Sequence, residues 1–279
     1  MKTRIITAIF IVAVMLPILI FSEYIVYPIA LAIFSLFATF EVYRVIGIEK
    51  KWVVAIPAYL ISFAAPLCTH EIFLGQDFEK SNYILITVAA IFVYLLYIMG
   101  AAVFSKGSLT VATISKAFLV FTYVVISFTS LSLIRYLEYG NINLFLVFIA
   151  AWGCDTFAYF TGYLFGKHKL IPEISPKKTV EGAIGGVVFA VIFFILYGIV
   201  IEAVTDAEAN YIVLSVSGFI LAIVSQIGDL IASLIKREHG VKDYSNLLPG
   251  HGGIMDRFDS ILSVATPLIA ICIIFPPFT

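Results

Sequence analysis

Long apolar runs separated by short polar breaks follow one another along the whole chain. A helix needs about 20 mostly apolar residues to cross the hydrocarbon core of a bilayer. The pattern therefore predicts an all-α, polytopic integral membrane protein with about nine transmembrane helices. The predicted spans cover roughly residues 5–21, 25–46, 52–67, 83–104, 117–136, 142–165, 180–203, 211–235 and 259–275. The third span is short, which is typical of a tilted or partly re-entrant segment.

Composition supports this interpretation. Hydrophobic residues make up 62% of the 279 residues and charged residues only 13%, whereas a soluble domain carries about a quarter charged residues. The net charge is −1, and no basic tail or linker suggests a nucleic-acid partner. Cys68, Cys154 and Cys272 lie far apart without metal-type spacing, so we interpret them as small apolar fillers.

The distribution of Lys and Arg predicts the orientation. If the N-terminus is cytoplasmic, 15 of the 17 basic residues fall in cytoplasmic segments, and only Lys80 and Arg135 fall outside. Basic residues concentrate in cytoplasmic loops, so we expect a cytoplasmic N-terminus; in a bacterium the membrane would be the cytoplasmic one. The basic start and apolar core imitate a secretory signal, but no clear cleavage site follows, so a retained first helix is expected.

Polar residues suited to chemistry concentrate in the second half of the chain. We predict a scaffold of four lipid-facing helices over 1–105, followed over 106–279 by five helices that hold a site facing the cytoplasm. Two cytoplasmic loops, 166–180 and 236–258, stand out by length and content. Glu41, near the end of the second span, is an exception in the first half. No internal repeat is visible, which argues against a transporter built from inverted halves.

Two predicted spans carry polar stripes whose residues recur every three or four positions and so share a helix face. One stripe comprises Gln226, Asp229, Ser233 and Lys236, and the other Trp152, Asp155, Tyr159, Gly162 and Gly166. A mid-membrane Asp costs about 2.5–3.5 kcal/mol on insertion scales, so each Asp needs a compensating partner. Pairing that merely binds helices together is one interpretation. Because both stripes descend toward a basic loop, we favour a polar funnel open to the cytoplasm.

The first long loop contains "SPKKTVEG", which is typical of a helix start. Pro176 would fix the turn, Thr179 would cap the helix, and Lys177 and Lys178 would crowd its entry. The N-terminus of a helix beside lysines is an anion site. We therefore predict phosphate contacts for Ser175, Lys177 and Lys178.

The second long loop is denser in chemistry. Its glycines expose backbone N–H groups without Cβ obstruction and lead into the last helix; they are Gly250, Gly252 and Gly253. Asp256 and Asp259 share one face of that helix, with Arg257 and Lys236 as nearby cations. Hard carboxylates beside phosphate-binding groups are what Mg²⁺ bridging to phosphate oxygens requires. We interpret His251 as a hydrogen-bonding residue rather than a general base, and without ligand companions it does not predict zinc.

From the residues alone we predict an integral membrane enzyme that handles phosphates with a divalent metal at the cytoplasmic face. The stretch from Ser233 to Asp259 resembles, in addition, the signature of the phosphatidate cytidylyltransferase family. The matching residues are Ser233, Lys236, Arg237, Lys242, Asp243, Ser245, Pro249, His251, Gly252, Gly253, Asp256, Arg257 and Asp259. The upstream stretch 155–182 is similar to another block of that family. The first five helices resemble the family only in hydropathy and length.

The resemblance implies transfer of CMP from CTP to phosphatidic acid, yielding CDP-diacylglycerol and pyrophosphate. It also implies a requirement for Mg²⁺, with K⁺ as a candidate second cation, and a homodimer among membrane lipids. On this hypothesis the metal ligands are Asp229, Asp256 and Asp259, and the catalytic residues are Asp229, Lys236, Asp256 and Arg257. The predicted substrate-binding residues are Ser175, Lys177, Lys178, Ser233, Arg237, Lys242, His251, Gly252 and Gly253, with Asp155 and Tyr159 on the funnel wall. Because the lipid phosphate is already a nucleophile, no Ser or Cys nucleophile is needed.

Three alternatives stay open. A CTP-dependent polyprenol or phytol kinase is also polytopic and handles phosphates, but its hydroxyl acceptor calls for a general base. A cation-coupled transporter or a channel would use the Asp stripes to bind its ion. A CDP-archaeol-type synthase would run the same chemistry on a different lipid acceptor.

Overall fold

The structure is a computed structural model that describes residue 7 and residues 13–74 and 80–279. Residues 5, 6 and 8–12 of the predicted first span, 5–21, lie outside the described residues, and residues 13–20 are helical, so the predicted retained first helix is described only in part. The helices that follow are α1 (Val26–Val45), α2 (Trp52–Leu74), α3 (Lys80–Phe104), α4 (Val111–Ile134), α5 (Gly140–Phe148), α6 (Cys154–Phe165), α7 (Val180–Val204), α8 (Tyr211–Glu238) and α9 (Met255–Ile274).

The membrane-spanning pattern agrees with the sequence. Within the described part of the chain, eight helices are long and apolar enough to cross a membrane, and they correspond to the second to ninth predicted spans. A π-helical turn, Ile149–Gly153, joins α5 to α6, so that Gly140–Phe165 forms one span. The prediction of an all-α, polytopic membrane protein is confirmed, while the cytoplasmic N-terminus stays a prediction.

The third predicted span differs from its expectation. Because α2 is one continuous helix of 23 residues that includes Pro57 and Pro66, the partly re-entrant alternative is wrong, while the tilted one stays a prediction. Polar residues at its C-terminal end shortened the apolar run without ending the helix. Membrane helices tolerate proline because neighbouring groups satisfy the freed carbonyls.

The loop before α7 corrects a second expectation. Ser175–Thr179 is a strand, β2, that pairs antiparallel with β1 (Lys169–Ile171), so Pro176 lies in a strand rather than fixing a turn. The helix begins only at Val180. The predicted cap is confirmed, because the Gly182 N–H donates to Thr179 Oγ1 at 3.1 Å.

The chain divides into two compact units, which we describe separately. Unit one comprises Met1–Ser132 and Asp243–Met255, and unit two comprises Leu133–Lys242 and Asp256–Thr279. The predicted division into 1–105 and 106–279 was a division by function and stays a prediction. In unit one the apolar core buries Tyr43, whose hydroxyl donates to the Ala117 carbonyl at 3.1 Å. A buried hydroxyl requires such a partner, because leaving it unbonded is costly.

Small residues bring the helices of unit two together. A Cβ at Gly182 would meet the Ala158 carbonyl oxygen, and one at Gly186 would meet the Cys154 carbonyl oxygen, so the backbones of α6 and α7 are in contact. Lipid tails are as apolar as the side chains, and close packing of this kind is what drives helix association in a membrane. Gln226 ties α8 to α7 by donating to the Ala183 carbonyl at 3.0 Å.

Candidate active site

Charged side chains from four elements of unit two form one cluster. They are Asp155 of α6, Lys178 of β2, Asp229 and Lys236 of α8, and Asp256 and Asp259 of α9. Two Lys–Asp ion pairs anchor the cluster, and each joins a cation from one element to a carboxylate from another. Of the two intramembrane aspartates that the sequence singled out, Asp229 is thus compensated by an ion pair with Lys178.

The Lys236–Asp256 pair is buried. Lys236 Nζ donates to Asp256 Oδ1 at 2.7 Å, and the two side chains are 10% and 2% exposed. Lys236 lies in the last turn of α8 and Asp256 in the first turn of α9. Both charges are therefore favourable to the dipole of their own helix. Removing either partner would leave the other charge buried without this ion pair, which is strongly destabilising.

The Lys178–Asp229 pair is more open. Lys178 Nζ lies 2.5 Å from Asp229 Oδ2, and the two side chains are 24% and 26% exposed. The Nζ atom itself is buried and makes no hydrogen bond to a described residue beyond this ion pair. Because an ammonium carries three donors, this single ion pair does not use all of them. On the other side of Asp229, Ser233 Oγ lies 3.5 Å from Oδ1.

Three aspartates of the cluster repel one another. Asp229 is within electrostatic range of both Asp155 and Asp259, and Ser260 is a hydrogen-bonding neighbour of Asp155. Among the residues that the structure describes, no three His, Cys, Asp or Glu side chains are close enough to hold a metal ion as they stand. The oxygen donors are nevertheless those that Mg²⁺ takes, and the concentration of negative charge favours a cation. The residues therefore fit the predicted metal in chemistry, and the ligand set stays a prediction.

The glycine-rich loop belongs to unit one, where it forms a tight turn. The Leu248 N–H donates to the Gly252 carbonyl at 2.9 Å, and the His251 N–H donates to the Leu248 carbonyl at 2.8 Å. Gly250 and Gly252 have φ of +77° and +82°, a region that only glycine enters at little cost.

A carboxylate from α1 holds the end of this loop. Glu41 Oε1 accepts from Ser245 Oγ at 2.5 Å and from the Ile254 N–H at 3.1 Å, and Oε2 accepts from the Met255 N–H at 2.8 Å. One turn along α1, Arg44 donates to the Tyr244 carbonyl at 2.7 Å. The sequence pattern marks Glu41 as an exception but assigns it no role, although an ionisable residue in an apolar helix is by default a functional candidate.

Comparison with known proteins decides the family. Residues 2–275 match the cytidylyltransferase family. The chain belongs to this family. The phosphatidate cytidylyltransferase of Bacillus subtilis (strain 168) is 32% identical over 271 residues, which are 95% of this chain and 94% of that protein. The phosphatidate cytidylyltransferase of Thermotoga maritima is 33% identical over 273 residues, 95% of this chain and 93% of that protein.

A third relative extends over nearly the whole of both chains. The phosphatidate cytidylyltransferase of Staphylococcus saprophyticus is 34% identical over 278 residues, 98% of this chain and 99% of that protein. The resemblance read from the signature is therefore confirmed, and this cytidylyltransferase family member is a nucleotidyltransferase enzyme.

Within this family member, Arg237 fastens the hairpin rather than pairing with a carboxylate of the cluster. Its Nη1 donates to the Val241 carbonyl at 3.1 Å and its Nε to the Ile174 carbonyl at 3.4 Å. Arg237 therefore ties the end of α8 to the residue that precedes β2. On β2, Ser175 is partly buried and Lys177 is exposed, so of the two adjacent lysines only Lys178 reaches an aspartate of the cluster.

Other predicted residues of this family member lie on its surface. Arg257, expected to balance the aspartates of α9, is exposed, and Asp256 pairs with Lys236 instead. Lys242 is exposed as well. Tyr159 is exposed on α6 and stacks on Tyr163, with ring centroids 6.3 Å apart. Sequence spacing identified the helix faces but not which of the available cations each carboxylate would select.

Proposed function

We propose that the protein transfers CMP from CTP to phosphatidic acid, giving CDP-diacylglycerol and pyrophosphate. The observation that carries the proposal is the cluster of two Lys–Asp pairs and two further aspartates in unit two. Its lysines are suited to phosphates and its carboxylates to a divalent cation. The names of the relatives from Bacillus subtilis and Thermotoga maritima support the same reaction.

The reaction requires charge neutralisation more than a protein nucleophile. An oxygen of the phosphatidate phosphate attacks the α-phosphorus of CTP, a new P–O bond forms, and the bond to the β-phosphate oxygen breaks, so that pyrophosphate leaves. Both reactants are anions, and catalysis therefore depends on holding them in line and stabilising the developing charge. We assign phosphate binding to Lys178, which has donors to spare, and to Lys236.

We assign Mg²⁺ to Asp229, Asp256 and Asp259, with Asp155 as an additional candidate ligand because it lies near Asp229. When bound, the metal would neutralise phosphate oxygens and act as a Lewis acid. A second cation such as K⁺ and a homodimer are further parts of the proposal. The excess of basic residues in the loops beside the cluster supports a cytoplasmic site.

The test is a label-transfer assay on purified protein with Mg²⁺ and phosphatidic acid. CTP labelled on the α-phosphate should pass its label into lipid, whereas CTP labelled on the γ-phosphate should not. Label from the γ-phosphate in lipid would identify a kinase. Absence of both labels from lipid, together with cation flux in proteoliposomes, would instead favour a transporter.

A further inference from the structure

The start of α9 lacks a capping residue of its own. Ile254 precedes the helix and Met255 opens it, and neither side chain can accept a hydrogen bond from the free N–H groups of the first turn. Ser, Thr, Asp or Asn normally fills this position. The N–H of Met255 and that of Ile254, just before the helix, donate instead to Glu41 of α1, more than 200 residues away in sequence.

Glu41 is well matched to this task. Its side chain is 2% exposed, and its two carboxylate oxygens accept three hydrogen bonds, one of them from Ser245. A negative charge at the N-terminus of a helix is also favourable to the helix dipole. The same carboxylate occupies the space beside Gly253, where a Cβ would meet it. The Glu41 carboxylate therefore leaves no room for a side chain at position 253, which explains the glycine there.

The capped backbone leads directly into the cluster. Asp256 follows Met255 in the chain and is the partner of Lys236 at 2.7 Å. The residue before the loop is held as well, because Arg44 binds the Tyr244 carbonyl at 2.7 Å. Two residues of α1 thus fix both ends of the segment that contains the glycine-rich turn.

We propose that Glu41 is a positioning residue for CMP transfer: by capping α9 it sets the backbone on which Asp256 and the glycine-rich turn are mounted. This inference rests on the proposed function. Glu41 does not touch the reacting atoms in this account and acts through Met255 and Asp256. A displacement of about 1 Å at a reacting group costs up to about a hundredfold in rate, so loss of the cap is expected to lower kcat.

The activity test compares variants at both contacting positions. Glu41→Ala should lower kcat at least about tenfold. Glu41→Gln keeps one carbonyl acceptor and should fall between Glu41→Ala and the wild type. Gly253→Ala should also lower kcat, since its Cβ displaces the carboxylate. The double variant Glu41→Ala/Gly253→Ala should be no worse than Glu41→Ala alone, because residues in contact do not act additively.

Thr39→Val is the matched control for a general weakening of α1. Thr39 lies on the same helix, is buried, and bonds Ser62 Oγ at 2.8 Å instead of the loop. It should lose thermal stability as Glu41→Ala does and yet keep kcat within about twofold. If kcat follows melting temperature across all these variants, Glu41 is only structural and the inference is overturned. Additive losses in the double variant would overturn it as well.

Amide hydrogen exchange separates this inference from the proposed function. In the complete protein, Glu41→Ala should speed exchange at Ile254 and Met255, while Thr39→Val leaves it unchanged. Unchanged exchange in Glu41→Ala would refute the cap whatever the protein catalyses. If the wild type transfers no CMP, both the proposed function and the positioning role of Glu41 are wrong. This holds even if amide hydrogen exchange shows that Glu41 caps α9.

Discussion

The two Lys–Asp pairs of unit two have similar geometry and different surroundings. Lys236–Asp256 is buried and joins a helix end to a helix start, whereas about a quarter of each side chain in Lys178–Asp229 is exposed. Removing one member of a buried ion pair is strongly destabilising, so such a pair is suited to a rigid part of the structure. An open pair with unused donors can exchange its partner for a ligand. We therefore expect substitutions in the buried pair to lower both stability and activity, and substitutions in the open pair to lower activity alone.

The largest effect should come from breaking the buried pair. Asp256→Asn should abolish CMP transfer and also destabilise the protein by about 3–5 kcal/mol, because the buried Lys236 ammonium loses its ion-pair partner. The measurement is label transfer together with thermal unfolding in detergent.

The double variant Lys236→Met/Asp256→Leu is the control for this prediction. Replacing a whole buried pair by apolar residues is often neutral for stability, so the double variant should regain stability without regaining activity. If the Asp256→Asn variant were stable and fully active, the Lys236–Asp256 pair would not be part of the active site.

Asp229→Asn should separate activity from stability. Because its pair with Lys178 is partly exposed, the variant should unfold near the wild-type temperature, and kcat should fall at least about a hundredfold through lost charge stabilisation. The Mg²⁺ concentration that gives half-maximal activity should also be higher in the variant than in the wild type. Wild-type kcat and an unchanged half-maximal Mg²⁺ concentration would contradict the metal assignment.

The sequence predicts site residues best where polar residues recur every three or four positions and therefore share one face of a helix. The spacing of Asp229 and Lys236 placed them on one side of α8, and the structure puts both in the cluster. Spacing does not reveal that Lys178 comes from a strand, because a proline before two lysines equally favours a turn that leads into a helix. Proline is tolerated in such a short hairpin at a position whose N–H is not needed.

Other parts of the site depend on contacts that no local pattern contains. The partners of Glu41 are backbone N–H groups about 200 residues away, and backbone donors leave no trace in composition. Likewise, Arg257 stands next to Asp256 in sequence, yet the helix directs it outward and Lys236 provides the charge. Proximity along a chain therefore misassigns ion pairs that tertiary packing decides.

Lys178→Ala should have a smaller effect that falls on substrate binding. Losing a charge-assisted hydrogen bond to phosphate should raise the apparent KM for CTP about tenfold, with a smaller change in kcat. Initial rates over a range of CTP concentrations measure both. A loss confined to kcat would place Lys178 with the framework rather than with the ligand.

The smallest effect is expected at the neighbouring Lys177. Its side chain is exposed on β2, and an exposed charge contributes little because water and salt screen it. Lys177→Ala should raise the KM for CTP by less than about threefold. If Lys177→Ala and Lys178→Ala raised the KM for CTP equally, the assignment of substrate binding to Lys178 rather than Lys177 would be wrong.

The most direct test of the account is the rate at which α-labelled CTP labels phosphatidic acid, measured for the wild type and for Asp229→Asn in the same detergent. We expect rapid labelling by the wild type and a loss of at least about a hundredfold in the variant at an unchanged unfolding temperature. Equal labelling by the two proteins would contradict it, since the cluster of unit two would then not be where CMP is transferred.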